Sequence, residues 1–130
     1  MDFSVVTDNF VFLIAQGFLG IGAFTGGTLR LAVPAIVLGF ILGTLVGLAR
    51  LSQSRWLHWP AKVYIEFFRG VPLVMVIFWF WFIVPTLAGK SLPEYAVALT
   101  AFVIFEAAYL AEIVRAGIQS VPRGQVEAAT

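Results

Sequence analysis

The chain has no cysteine, one histidine and few charges, with only 12% of its 130 residues Asp, Glu, Lys or Arg. Without cysteine there is no disulfide, no thiol nucleophile and no cysteine metal site. The single histidine, His58, has no second His or Cys to share a metal and stands near Trp56 and Trp59, so it is read as an interfacial group rather than a metal ligand or proton carrier. A net charge of +1 gives no case for a nucleic-acid partner. What is abundant is apolar: 61% of the residues are hydrophobic, against about 45–50% in soluble domains. Uncharged apolar runs of this kind would leave large patches on a soluble surface. The expected fold class is therefore all-α integral membrane, with three transmembrane helices.

The first expected span is residues 31–49, where Thr44 is the one polar side chain and the reach is about 28 Å, close to the hydrocarbon thickness. Within it Ala35, Gly39, Gly43 and Gly47 recur every fourth residue, a stripe of small groups that lets another helix approach closely. Residues 50–69 mix Arg50, Arg55, Lys62 and Arg69 with Trp56, Trp59, Tyr64, Phe67 and Phe68, a basic and aromatic blend suited to a helix along the membrane surface. Residues 71–87 form the second expected span, opened by Pro72. Phe78 to Phe82 are five consecutive aromatics. They cover every face of a helix, which suits lipid contact and anchoring better than a one-sided binding stripe. Pro85 to Pro93 is read as a link, and residues 95–114 as the third span.

Residues 1–29 are expected to form an outer-surface or interfacial segment. The apolar run Phe10 to Phe24 reaches only about 22 Å as a helix and carries three glycines that weaken it; Asp2 and Asp8 stand where a secretory signal would be basic. Orientation follows from Lys and Arg in short loops. Six of them (Arg50, Arg55, Lys62, Arg69, Arg115 and Arg123) fall on one side and two (Arg30 and Lys90) on the other, which puts the N-terminus outside and the C-terminus in the cytoplasm.

Glu106 lies near the middle of the third span, where a charge is expensive unless paired or hydrated. It either lines a polar path or positions a substrate amine, or else makes a structural hydrogen bond to a neighbouring helix in its protonated form. Tyr109, three residues on, shares nearly the same face and either role. Glu112 and Arg115 are also three apart and are read as a structural ion pair at the end of the span. Glu106 and Glu112 stand about 120° apart around the helix, a poor placement for a catalytic carboxylate pair, so no catalytic residue, no metal site and no hydrolase are expected. Beyond the span, Pro122 stops the helix, Gly124 permits a turn, and Gln125 to Ala129 start a short helix with Glu127 in its first turn.

Three stretches together carry a resemblance: Glu66-Phe67-Phe68-Arg69-Gly70-Val71-Pro72-Leu73, the run Glu106 to Ile118, and Gly124-Gln125 with Glu127-Ala128-Ala129. They resemble the polar amino acid permease family of ABC importers, over about residues 27–130. Pro72 to Val76, Trp79-Phe80 and Ile83-Val84-Pro85 look most like its glutamate and aspartate branch. The resemblance implies a membrane subunit with five spans, of which residues 30–130 supply the first part. It also implies partners: a second permease chain, same or paralogous, a periplasmic amino acid binding protein, and an ABC ATPase that holds ATP and magnesium, this chain binding no cofactor itself. Arg123, Gly124, Gln125, Glu127, Ala128 and Ala129 would begin the coupling helix that grips the ATPase. The family pattern continues to a glycine beyond Thr130, so the expectation is a fragment or truncated product. Two other classes stay open: a small structural or assembly membrane protein using the glycine face, and, ranked last, a proton-conducting peptide built around Glu106.

Overall fold

Two long helices lying side by side carry the architecture. The computed structural model describes residues 3–14 and 27–129. In chain order the helices are α1 (Ser4–Asp8), α2 (Phe10–Phe12), α3 (Thr28–Leu51), α4 (Arg55–Gly70), α5 (Leu73–Phe78), a π-helical turn (Trp79–Ile83), α6 (Val84–Ala88), α7 (Glu94–Gln119) and α8 (Arg123–Ala128). Among the described residues there is no strand. The apolar run from Phe10 to Phe24 lies partly outside the described residues; its described part contains α2, and α1 ends just before Asn9.

α3 and α7 have 24 and 26 residues, about 36 and 39 Å, and both are long and apolar enough to cross a membrane. They run parallel. Arg30 meets Tyr95, Gly39 meets Glu106, Gly43 meets Ala107 and Leu110, and Gly47 meets Ala111 and Val114, so contacts advance together along both chains. The glycine rows are small, and Gly43 and Gly47 face Ala107 and Ala111, which are fully buried. Small groups on both sides bring the backbones together, and in an apolar solvent that close packing is what holds helices to each other.

Two parallel crossings need a return crossing between them. The chain supplies it as α5, the π turn and α6, about 24 Å in all, bent 106° from α4. Arg69 at the end of α4 stands beside Glu112, and Trp81 and Pro85 share a cleft with Glu94 and Val97, so this segment runs antiparallel to α7. With the bent pair counted as one, the chain has up to three candidate spans.

The second helix differs from the sequence expectation in its limits and its interior. It begins at Leu73 rather than residue 71, because Pro72 takes the extended conformation of an N-cap. It also runs through Pro85 to Ala88 before Gly89, at φ 65°, ends it in the left-handed region. A proline inside a helix removes one bond and crowds the carbonyl four residues before it. Here that carbonyl belongs to Trp81, in the π turn, whose wider winding shifts the bonding register and lets the helix continue.

Pro34 inside α3 poses the same problem and is solved by a neighbour. Its missing amide leaves the Arg30 carbonyl without an intrahelical donor, and the Tyr95 hydroxyl on α7 donates to that carbonyl at 2.7 Å. The Arg30 guanidinium lies 5.6 Å from the Tyr95 ring centroid. This pins the two helices at their N-terminal ends.

α7 extends to Gln119, past the expected end at residue 114, and the chain turns at Ser120 to Pro122. α8 therefore starts at Arg123, with Pro122 as its N-cap. Gly124 sits inside that helix rather than at a turn, and Glu127 falls in its last turn rather than its first.

Candidate functional site

Between the Tyr95 pin and the glycine rows, α3 and α7 border an open-sided cavity of about 440 Å³. Leu31, Ala32, Ala35 and Ile36 line it from α3, Phe102 and Glu106 from α7. The lining is mostly apolar, and Glu106 is its ionisable group. The room for that carboxylate comes from Gly39: a Cβ there would stand 3.2 Å from Glu106 Oε2. No described side chain donates a hydrogen bond or ion pair to it. A concave apolar pocket with one fixed polar group, of a volume within the usual range of about 300–1,000 Å³, is suited to a small ligand that carries a cationic or donor end.

Tyr109 does not join Glu106 there. Its ring packs on Phe105 at 5.0 Å, and the Arg69 guanidinium lies 5.7 Å from its centroid. The sixty or so degrees between positions three apart on a helix are enough to turn it away from α3 toward the end of α4.

Glu112 and Arg115 do pair: Arg115 Nε donates to Glu112 Oε2 at 3.0 Å and Nη2 to Oε1. The pair is also the centre of a larger cluster. Arg69 Nη1 reaches Glu112 Oε1 at 3.9 Å, and Arg115 Nη1 donates to Gln119 Oε1. One carboxylate on α7 thus faces a guanidinium of its own helix and one from α4. Arg69 was visible in the sequence only as a boundary cation, since its partners are some forty residues away and a lone basic residue near aromatics gives no sign of them.

The junction of α3 and α4 has its own polar lock, which places His58. Arg50 lies in the last turn of α3; its carbonyl can only accept, so His58 Nδ1 donates to it at 2.6 Å, and His58 Nε2 accepts from Arg50 Nη1 at 3.3 Å. Arg50 also reaches Glu66 at 3.6 Å, and Lys62 reaches the same carboxylate at 3.9 Å. Farther along α4, the Tyr64 hydroxyl donates to the Ile104 carbonyl of α7.

The residues expected to begin a coupling helix, Arg123, Gly124, Gln125, Glu127, Ala128 and Ala129, lie on α8 or at its C-cap. From Gly124 to Ala129 they are exposed, and Val126 between them is 54% exposed. Among the described residues no group of three His, Asp or Glu side chains is placed to hold a metal ion.

The fold and its cavity are those of a multi-span helical membrane protein with an ionisable group on an internal surface. Residues 35–130 match the family described as "Binding-protein-dependent transport system inner membrane component", and the chain belongs to that family. The glutamate/aspartate import permease protein GltK of Escherichia coli is 46% identical over 109 residues, covering 78% of this chain and 49% of the relative. The probable glutamine ABC transporter permease protein GlnM of Bacillus subtilis is 37% identical over 129 residues, covering 99% of this chain and 56% of the relative. A crystal structure of an amino acid ABC transporter with histidines superposes with a TM-score of 0.84 at 31% identity, over 99% of this chain and 56% of that one. The chain spans about half the length of the curated relatives it matches.

Proposed function

We propose that this chain supplies the first part of the permease subunit of an ATP-driven importer for polar amino acids, with acidic amino acids such as glutamate and aspartate as cargo. The observation that carries the reading is the Glu106 carboxylate on the cavity between two parallel spans. It meets the α-ammonium that every amino acid bears, and the apolar walls limit the water around that contact, which strengthens it. The preference for acidic cargo is supported by the similarity to the glutamate/aspartate permease; relatives named for glutamine, arginine and cystine share the family.

In this reading the N-terminus is outside and the C-terminus in the cytoplasm of the inner membrane, in keeping with the excess of Lys and Arg on one side. A second permease chain completes the path and a periplasmic binding protein delivers the cargo. An ABC ATPase, with its own ATP and magnesium, docks on α8, where Glu127, Ala128 and Ala129 start the coupling segment. The reading of a small assembly protein loses its interface, because Gly39, Gly43 and Gly47 are covered by α7 of the same chain.

The test is uptake of labelled glutamate by cells making the permease with its partner subunits. Glu106→Gln is expected to lower uptake by at least about tenfold, the effect of losing one charge-assisted contact in a mostly apolar site, with the membrane level of the protein unchanged. Glu127→Lys is expected to abolish co-purification of the ATPase. Normal uptake by the Glu106→Gln protein would overturn the role given to the cavity.

A further inference from the structure

The start of α4 carries two clefts apart from the Glu106 cavity. Arg55 is exposed and, among the described residues, has no carboxylate within ion-pair distance. The other cations of this corner, Arg50 and Lys62, both face Glu66. Beside Arg55, Trp56 and Trp59 are 90% and 64% exposed, and with Pro60 they wall a cleft of about 330 Å³. Trp56 and Pro60 also wall a second cleft, of about 480 Å³, that continues between α3 and α4 along Leu45, Val46 and Ala49 to Tyr64.

A cation without a partner thus stands at the mouth of an apolar groove flanked by two exposed indoles, the side chains that settle at the level of lipid headgroups. A soluble anion has no use for the groove, and a zwitterionic lipid brings a cationic group beside its phosphate that offsets the attraction to the guanidinium. A partner helix of apolar character would fill the groove and bury Arg55 without a counter-charge. The combination fits a molecule with a negative head and a hydrocarbon tail. We infer that this corner binds an anionic phospholipid, with its phosphate on Arg55, its glycerol region between Trp56 and Trp59, and one acyl chain in the groove past Leu45 and Ala49.

Native mass spectrometry of the detergent-extracted protein, given phosphatidylglycerol, phosphatidylcholine or inorganic phosphate, tests the site. The expected result is retention of phosphatidylglycerol about fivefold over phosphatidylcholine, the preference one basic residue confers near an anionic lipid, and no phosphate adduct. Arg55→Gln removes that preference, and Ala49→Phe, which fills the groove, lowers retention of both lipids. Leu45→Trp serves as a second groove-filling variant, and unchanged helix content and thermal midpoint show that each variant is folded. Equal retention of the two lipids, a preference that survives Arg55→Gln, binding of phosphate alone, or a crosslink in intact membranes that places a polypeptide over Ala49 would each overturn the inference.

Discussion

The two halves of the α3–α7 seam differ sharply although the same two helices make both. Toward their C-terminal ends Gly43 and Gly47 lie against backbone: a Cβ at 43 would stand 2.9 Å from the Ala107 oxygen, and one at 47 would stand 2.8 Å from the Ala111 oxygen. Toward their N-terminal ends the helices border an open-sided cavity of about 440 Å³ with Glu106 on its wall. Gly39 is where one regime passes into the other, since what it faces is a side chain and not a backbone. A helix pair of constant direction can therefore be sealed along one half and open along the other, and the size of the residue in each row decides which.

The largest expected effect comes from breaking the sealed half. Gly43→Ala and Gly47→Ala drive a methyl group into a rigid main chain, so each is expected to destabilise by about 1–3 kcal/mol, as overpacking does, read as a lower thermal midpoint in detergent. A midpoint unchanged in both variants would mean that the seam is looser than its geometry. Next comes the Glu112 cluster, which ties the end of α4 to this half. Glu112→Gln leaves Arg69 and Arg115 facing each other without a counter-charge, and a loss of about 1–2 kcal/mol is expected. A double-mutant cycle with Arg115→Gln isolates the pair, and a coupling of zero would remove the cluster from the account.

Gly39→Ala sharpens the comparison because it sits at the boundary. Its methyl group meets the end of a flexible carboxylate, which can swing away, so stability is expected to fall by less than about 1 kcal/mol while uptake falls with the displaced Glu106. Smallest of all is Tyr95→Phe. The carbonyl that Pro34 leaves open on Arg30 loses its donor in a place that is already exposed, and a loss of about 0.5–1 kcal/mol is expected, measured by the same thermal midpoint.

Parts of this were legible in the residues. A small side chain at every fourth position of a 24-residue apolar helix can only be a stripe, and a carboxylate in mid-span requires a reason; both signals are local. What the stripe faces is not local, because any helix with small residues would fit it, and α7 is found only once the fold is known. The π turn was hidden by its composition: five aromatics in succession have no period, and Pro85 reads as a stop until the wider turn before it is seen. Tyr109 was assigned by helix geometry to the face of Glu106, and it is Arg69, from another helix, that claims it. Gly124 and Glu127 were displaced in register because the turn falls at Ser120 to Pro122, two residues earlier than glycine alone suggested.

Because these 130 residues hold no cysteine, single cysteines can be placed along the seam and compared with the unsubstituted protein as the blank. The most direct measurement is the rate at which a water-soluble cationic thiol reagent modifies Ala32→Cys, in the open half, and Ala111→Cys, in the sealed half, in membranes holding the permease. The account predicts fast modification at position 32, slowed by adding Glu106→Gln, and none at 111. Equal rates at the two positions, or a rate at 32 indifferent to Glu106, would contradict it.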